Sequence, residues 1–533
     1  MKRRDFVQLA LASPLSGAMP PAKPQAPSRS SGKTSRPNIL FLMADQMRAD
    51  CVGAYGNRTV KTPHLDSLAA QGARFGCAYT STPTCTPARS ALLTGLSPWH
   101  HGMLGMTLMA AEYPLEMPRA LAQADYYTTV IGKNHFFPMR NSHGYHQMVV
   151  DEHCSYWFDK NENQVAAQAS DEARADYEAW FWSQLPTADP HQTGLGWNDH
   201  RGKAFALPER FHATRWTGDT AVNFLKTYQR PEPFFLKVSF IRPHSPYDPP
   251  ARWMDQYQSA DIPKPAVGKW ADRFVARSSA SNDLWHGALP WEEVRQSRQA
   301  YYGSVSFVDE QIGRILETLE HRGMLDETLI VFLSDHGDML GDQNLWRKSY
   351  AYEPSARIPM IMRWPTGLLA AKRGQAFHQP VELRDILPTF LETAGSTPNR
   401  SIDGRSLLAL IRNGGSDWRP WIDLEHNVCY SKDNHWNALC DGQWKYIFHA
   451  RDATEQLFHL QADPCELTDL ATDSTNQEVL RLWRNRMVEH LSERGDAFVK
   501  NGRLVPRPEG MMLSPNFPGY GKYKALAGDL WHT

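Results

Sequence analysis

The chain has 533 residues, 41% of them hydrophobic and 22% charged, with a formal net charge of −1. A near-neutral bulk charge excludes attraction to nucleic acid or to an anionic membrane through overall electrostatics, so any pull on an anion has to come from a local pocket. No apolar run approaches the ~20 residues of a membrane span, and the length predicts one large domain with a smaller companion.

In chain order, Lys2-Arg3-Arg4-Asp5-Phe6 and the apolar stretch from Val7 to Ala12 have the form of a twin-arginine export signal. A Pro- and Ser-rich stretch follows, so residues 1–36 are read as signal and linker, which predicts a periplasmic or secreted protein. A basic tail without a targeting role is the plain alternative. Next, Ile39-Leu40-Phe41-Leu42-Met43, Thr128-Thr129-Val130-Ile131, the run from Phe234 to Ile241, and Leu329-Ile330-Val331-Phe332-Leu333 are continuous apolar stretches. Such runs predict strands covered on both faces. Each ends in polar residues, and in an open α/β sheet the active site lies at those carboxyl ends. Val305, Val308, Ile312, Leu316 and Leu319 recur at helical spacing before Gly323. Residues 37–420 are therefore read as an α/β catalytic domain. Between about 144 and 300 lies a long, irregular, Trp-rich insert around the strand at 234–241. Beyond 420 the texture changes to short antiparallel strands at 437–439, 444–448 and 456–460 and a helix at 477–493, so residues 421–533 are read as an α+β subdomain. The seven cysteines (51, 77, 85, 154, 429, 440 and 465) are too dilute for a disulfide framework and contain no CxxC pair.

The chemistry is concentrated in Cys85-Thr86-Pro87-Ala88-Arg89, with Thr94-Gly95 after it. This segment resembles the signature of the formylglycine-dependent sulfatases of the alkaline phosphatase superfamily, Cys-x-Pro-x-Arg followed by a helix and Thr-Gly. The resemblance implies an alkaline-phosphatase-like mixed sheet sandwiched by helices, with a smaller C-terminal antiparallel sheet. It also implies a maturation enzyme that oxidises Cys85 to formylglycine. A thiol or a serine that captured a sulfuryl group would release it poorly. A hydrated aldehyde attacks with one hydroxyl and, on loss of the proton from the other, ejects sulfate and re-forms the aldehyde.

A negative nucleophile meeting a negative substrate needs cations. Asp45-Gln46 and Asp335-His336 end two of the strands, and they resemble the family's two metal-binding pairs, with Cys85 at the same centre. The family usually holds calcium. Gln46 stands where the family commonly has Asp, and His336 departs from an all-oxygen site, so Mn2+ or Mg2+ stays open beside Ca2+. By the same resemblance Arg89 orients the formylglycine. Gly132-Lys133-Asn134-His135 matches Gly-Lys-x-His, with Lys133 on sulfate and His135 taking the proton that releases product. In Arg242-Pro243-His244-Ser245-Pro246, His244 binds sulfate or protonates the leaving alcohol. Lys348 clamps sulfate near the leaving oxygen. His100 and His101 stand either near the substrate mouth or as helix caps. Asp463-Pro464, Glu466 and Leu470 match a C-terminal motif that supports the fold.

The substrate is less legible. Trp197, Arg201, Lys203, Arg215 and Trp216 in the insert would suit a sulfated, uronate-bearing saccharide, with aromatic faces on the sugar and Arg on carboxylates. Ordinary core tryptophans with solvated arginines are the alternative. A phosphonate monoester or phosphodiester hydrolase of the same superfamily, or a non-catalytic binder of anionic glycans, would carry many of these motifs too.

Overall fold

Ile39 to Met43 lies in the central strand β1 (Asn38–Asp45) of the computed structural model, which describes residues 36–152, 175–190 and 193–522. The export segment, Cys154 and Trp157 fall outside those residues. The run is apolar throughout because both faces of β1 are covered. Ile39, Phe41 and Met43 enter one core, and Leu40, Leu42 and Ala44 enter the other. The first core packs against the helices Cys85–Thr94 and Ile386–Thr393, the second against Ala213–Thr227 and Trp291–His321.

The remaining strands of the main sheet are β2 (Ala73–Phe75), β4 (Tyr127–Gly132), β5 (Gln147–Val150), β6 (Phe234–Pro243), β7 (Thr328–Ser334), β8 (Met360–Arg363) and β9 (Gln375–Phe377). β3 (Ala78–Tyr79) and β10 (Val381–Glu382) form a separate short parallel pair. The main sheet has eight strands in the order β5-β4-β6-β1-β7-β8-β2-β9. The first five run parallel, and β8 is antiparallel to both β7 and β2. The sheet is thus mixed and covered by helices on both faces, as expected. The four apolar runs read from the sequence are the neighbours β4, β6, β1 and β7, so their polar C-terminal ends converge.

Two local expectations change. The helix expected around 305–319 begins at Trp291, after Pro290. Its first turns bury Ser297, Arg298 and Gln299, and polar burial hides them from an apolar period. The insert is less irregular than its sequence suggests. It holds β5 and the helices Asp176–Gln184, Ala213–Thr227 and Ala251–Gln256.

The C-terminal sheet has four antiparallel strands, β11 (Ile422–His426), β12 (Trp436–Cys440), β13 (Trp444–His449) and β14 (Glu455–His459). The last three follow the sequence reading, and β11 adds to it. One face packs on Tyr79, Met339 and Tyr350, and the other on the helix Gln477–Leu491 through Trp483 and Met487. Buried Lys445 of β13 pairs with Glu353 at 2.7 Å and Glu466 at 2.9 Å, which is how the Glu466 motif supports the fold. The six cysteines among the described residues are all free.

One buried carboxylate sets a pH dependence of stability. Asp309, on the helix Trp291–His321, accepts hydrogen bonds from the backbone amides of His64 at 3.2 Å and Leu65 at 2.8 Å. Burial pushes its carboxyl up to about 7, against the pull of those amides. The unfolded value is about 3.9. Between the two values the native state keeps a proton that the unfolded chain has lost. This contribution is therefore full below pH ~4 and is lost as pH rises toward ~7. Asp309→Asn resembles the protonated acid. It is expected to gain stability relative to wild type, by a few kcal/mol, as pH rises across that window. Parallel urea titrations at several pH values measure the difference, and equal slopes would refute it.

Candidate active site

The site is assembled from strand ends. Asp45 ends β1, and Asp335 and His336 follow β7. Lys133 follows β4, and His244 follows β6. Gly132 makes the turn after β4 with φ +94°, and a Cβ there would fall 2.1 Å from the Ser239 carbonyl oxygen. Only glycine fits that close approach to the neighbouring strand, and it delivers Lys133 to the centre.

Cys85 opens the helix Cys85–Thr94. Its side chain therefore sits at a helix N-terminus, where negative charge is favoured. Cys85 Sγ lies 3.2 Å from His336 Nε2, 3.8 Å from Asp45 Oδ1 and 3.4 Å from Lys348 Nζ. Burial first, and the Asp45 carboxylate second, push the thiol up to about 11. An unmodified Cys85 is thus a protonated thiol at neutral pH and a poor nucleophile.

Arg89, one helical turn on, locks the centre together. Its Nε donates to Asp335 Oδ2 at 3.0 Å and its Nη2 to Asp45 Oδ2 at 3.1 Å, and its Nη1 reaches the Lys133 carbonyl at 2.7 Å. Lys133 Nζ is 2.7 Å from Asp45 Oδ2. Burial opposes charge on Asp45, yet Lys133 and Arg89 hold its carboxyl well below the usual range. Two carboxylates face three cations (Arg89, Lys133 and Lys348), so the centre has one positive charge in excess and suits an anion.

Lys348 donates to His244 Nε2 at 2.7 Å and to Gln46 Oε1 at 2.8 Å. His244 Nδ1 in turn faces the Ser245 carbonyl at 2.6 Å. Its Nε2 is therefore an acceptor. Burial, Lys348 and Lys133 all lower its pKa well below the ordinary histidine value. His135 sits in a left-handed turn with φ 59°, and burial with Lys133 and Arg89 lowers its pKa in the same way. Both imidazoles are neutral at neutral pH.

Ligand atoms of Asp45, Cys85, Asp335 and His336 lie within 4.8 Å of one another. His336 Nδ1 is 3.0 Å from the Gly337 carbonyl, which leaves Nε2 pointing into the cluster. Two carboxylates and one imidazole nitrogen are a donor set that fits a divalent cation. Gln46 stands beside them with its carbonyl oxygen turned inward to Lys348, because its Nε2 donates to Asp338 Oδ2 at 2.5 Å.

The strand-end and helix residues Asp45, Gln46, Cys85, Arg89, Lys133, His244, Asp335, His336 and Lys348 thus meet, and the charges of this centre act on His135. His100 instead pairs with Asp403 at 2.7 Å, far along the chain, and His101 Nδ1 accepts from the Met103 amide at 3.2 Å. Sequence reading missed two supports. Asp338 orients Gln46, and Tyr247 donates to the same oxygen at 2.5 Å. Glu152 accepts from the amides of Asn134 and His135 and so holds the left-handed turn. The signal for Glu152 was an apolar run, Met148-Val149-Val150, that ends in Asp151-Glu152 as the other strands end in polar residues.

Comparison with known proteins bears on what this centre does. Residues 37–396 match the family described as Sulfatase, more than half of the chain. The chain belongs to the sulfatase family. Residues 341–493 of this sulfatase also match the C-terminal region described for N-sulphoglucosamine sulphohydrolase. It is 35% identical to an arylsulfatase of Clostridium perfringens, over 88% of this chain and 97% of that protein. It is 31% identical to a choline-sulfatase of Rhizobium meliloti, over 88% and 90%. Among solved structures, one of a protein in complex with its substrate D-glucosamine-2-N,6-O-disulfate superposes with a TM-score of 0.69 at 22% identity, covering 87% of this chain and 99% of that one. The fold is that of these sulfatases, and the protein is a sulfuric ester hydrolase.

Proposed function

We propose that this sulfatase hydrolyses sulfate esters of saccharides, using a formylglycine made from Cys85 beside a divalent cation held by Asp45, Asp335 and His336, with Gln46 as a further oxygen donor. The observation that carries this reading is the meeting of Cys85 with two carboxylates, one imidazole and three cations in a buried centre. The raised pKa of the thiol supports the need for modification, since the plain cysteine has little thiolate to offer. Relatives include an N-acetylglucosamine-6-O-sulfatase of Bacteroides thetaiotaomicron at 25% identity and an ulvan-active sulfatase of Formosa agariphila at 29%, which supports the saccharide class.

The cation would supply Lewis-acid stabilisation of charge on the sulfuryl group and the nucleophile. The donor set is compatible with Ca2+ and, through the imidazole, with Mn2+. The chain's own groups account for the rest. Arg89 fixes both carboxylates and, with Lys133, keeps Asp45 charged. Lys133 and Lys348 hold the sulfate oxygens from two sides. Lys348 would clamp the sulfate near the leaving oxygen, where its N–H groups can donate to it. His244, an acceptor with a low pKa, fits the sulfate-binding and orienting part of its two candidate roles better than that of acid. His135, whose pKa is lowered by burial, Lys133 and Arg89, is in the neutral form that takes a proton and so completes release.

The test is sulfate release by the mature protein from sulfated oligosaccharides and an aryl sulfate, set against a phosphonate monoester. Faster turnover of the phosphonate would replace this reading with the phosphonate hydrolase. In His135→Ala, steady turnover is expected to fall by roughly 10²–10⁴-fold. Rapid-mixing measurements should still show a burst of released alcohol approaching one per enzyme. A burst lost in step with turnover would remove His135 from the release step.

A further inference from the structure

Of the tryptophans in the insert, most are structural. Trp180, Trp182 and Trp216 pack with Tyr177, Phe181 and Phe211 in a satellite core, and Arg215 is paired with Asp219 at 3.0 Å. The Arg215-Trp216 pair expected to read a sugar is therefore part of the scaffold. Trp197 is different. It is half-buried, its ring lies 5.0 Å from the His244 ring at 31°, and Lys133 Nζ stands 5.6 Å from its centroid. Both partners border the nucleophile. The indole thus flanks the place where a sulfate group held by Lys133 and His244 would pass into its leaving group.

We propose that Trp197 is the wall against which the ring of the leaving group rests, so that the preferred substrates are sulfate esters carried on a ring, aryl or pyranose, at the sulfated position. This rests on the sulfate-ester reading above. The physical basis is contact with a flat, rigid face. An aromatic ring or the C–H face of a sugar covers an indole well, while a linear chain covers little of it and loses rotamer freedom to do so. The nearest arginine in sequence, Arg201, four residues on, is bound to Asp199 at 2.6 Å, which leaves the indole to recognise its ligand by shape and stacking.

The experiment compares wild type with Trp197→Ala and Trp197→Phe on para-nitrophenyl sulfate, and measures inhibition by inorganic sulfate, which has no leaving group. Trp197→Ala is expected to raise KM about tenfold and to leave the sulfate inhibition constant within about twofold. Trp197→Phe, which keeps a flat face, is expected to stay within about threefold of wild type. A sulfate constant that worsens in step with KM would mean that Trp197 only supports His244 and Lys133, and would overturn the proposal. An unchanged KM in the alanine variant would do the same. Should the alanine variant fail to fold, Trp197→Leu fills the space without a flat face and is expected to show the same rise; a wild-type KM there overturns the proposal. A wild-type enzyme that releases no sulfate from any ester would fail the functional reading instead. Calorimetric binding of para-nitrophenyl sulfate to wild type and variants then decides the role of Trp197 by the same ratios.

Discussion

Cys85→Ala is expected to lower sulfate-ester turnover by on the order of 10⁴-fold or more while leaving the fold intact. The size follows from the role. If position 85 supplies the attacking atom, the remaining cations can bind and polarise the ester but cannot capture the sulfuryl group. The fold should survive because the substitution removes one sulfur from a centre whose rigidity comes from Arg89, Lys133 and the strand ends. Loss of one buried atom of this size typically costs about 1 kcal/mol, a few degrees at most in a protein this large. Peptide mass spectrometry of the mature wild type should find the aldehyde or its hydrate at residue 85. Full activity in the alanine variant, or a wild type that is active with an unmodified thiol, would end the proposed chemistry.

Arg89→Met is expected to destabilise the protein by roughly 3–5 kcal/mol as well as to abolish turnover. Arg89 is buried and bonds Asp45, Asp335, the Lys133 carbonyl and Ser239. Methionine keeps much of the volume but leaves two buried carboxylates short of a counter-charge. A divalent cation binding the same carboxylates would restore part of that charge. Melting temperature in the variant should therefore rise more steeply with added Mn2+ or Ca2+ than in wild type. In wild type, chelation should lower the melting temperature and remove activity together, since saturation at about 100 times Kd contributes about 2.7 kcal/mol. A melting temperature indifferent to chelator and to added metal in both proteins would argue that no ion occupies the centre.

Most of the centre was legible from the chain alone. Cys85, Arg89, Lys133, His135, His244 and Lys348 stand in motifs whose order resembles that of the formylglycine-dependent sulfatases, and Asp45 and Asp335 close apolar runs that read as doubly covered strands. These signals survive in sequence because strands and tight turns are local. An apolar run ending in Asp45, or a glycine before Lys133, carries its structural meaning within a few residues.

Only the tertiary structure decided how those ends pack. Asp338 and Glu152 act through Gln46 and His135, residues far from them in sequence or beyond a turn, and no local pattern records such a bond. The inward direction of the Gln46 carbonyl is set by that amide bond. Nothing in the sequence distinguished Trp197, against Lys133 and His244, from Trp216, inside a satellite core. Both are large apolar side chains in the same insert. Which of them is wall and which is scaffold depends on long-range packing, where side chains hundreds of residues apart compete for the same space.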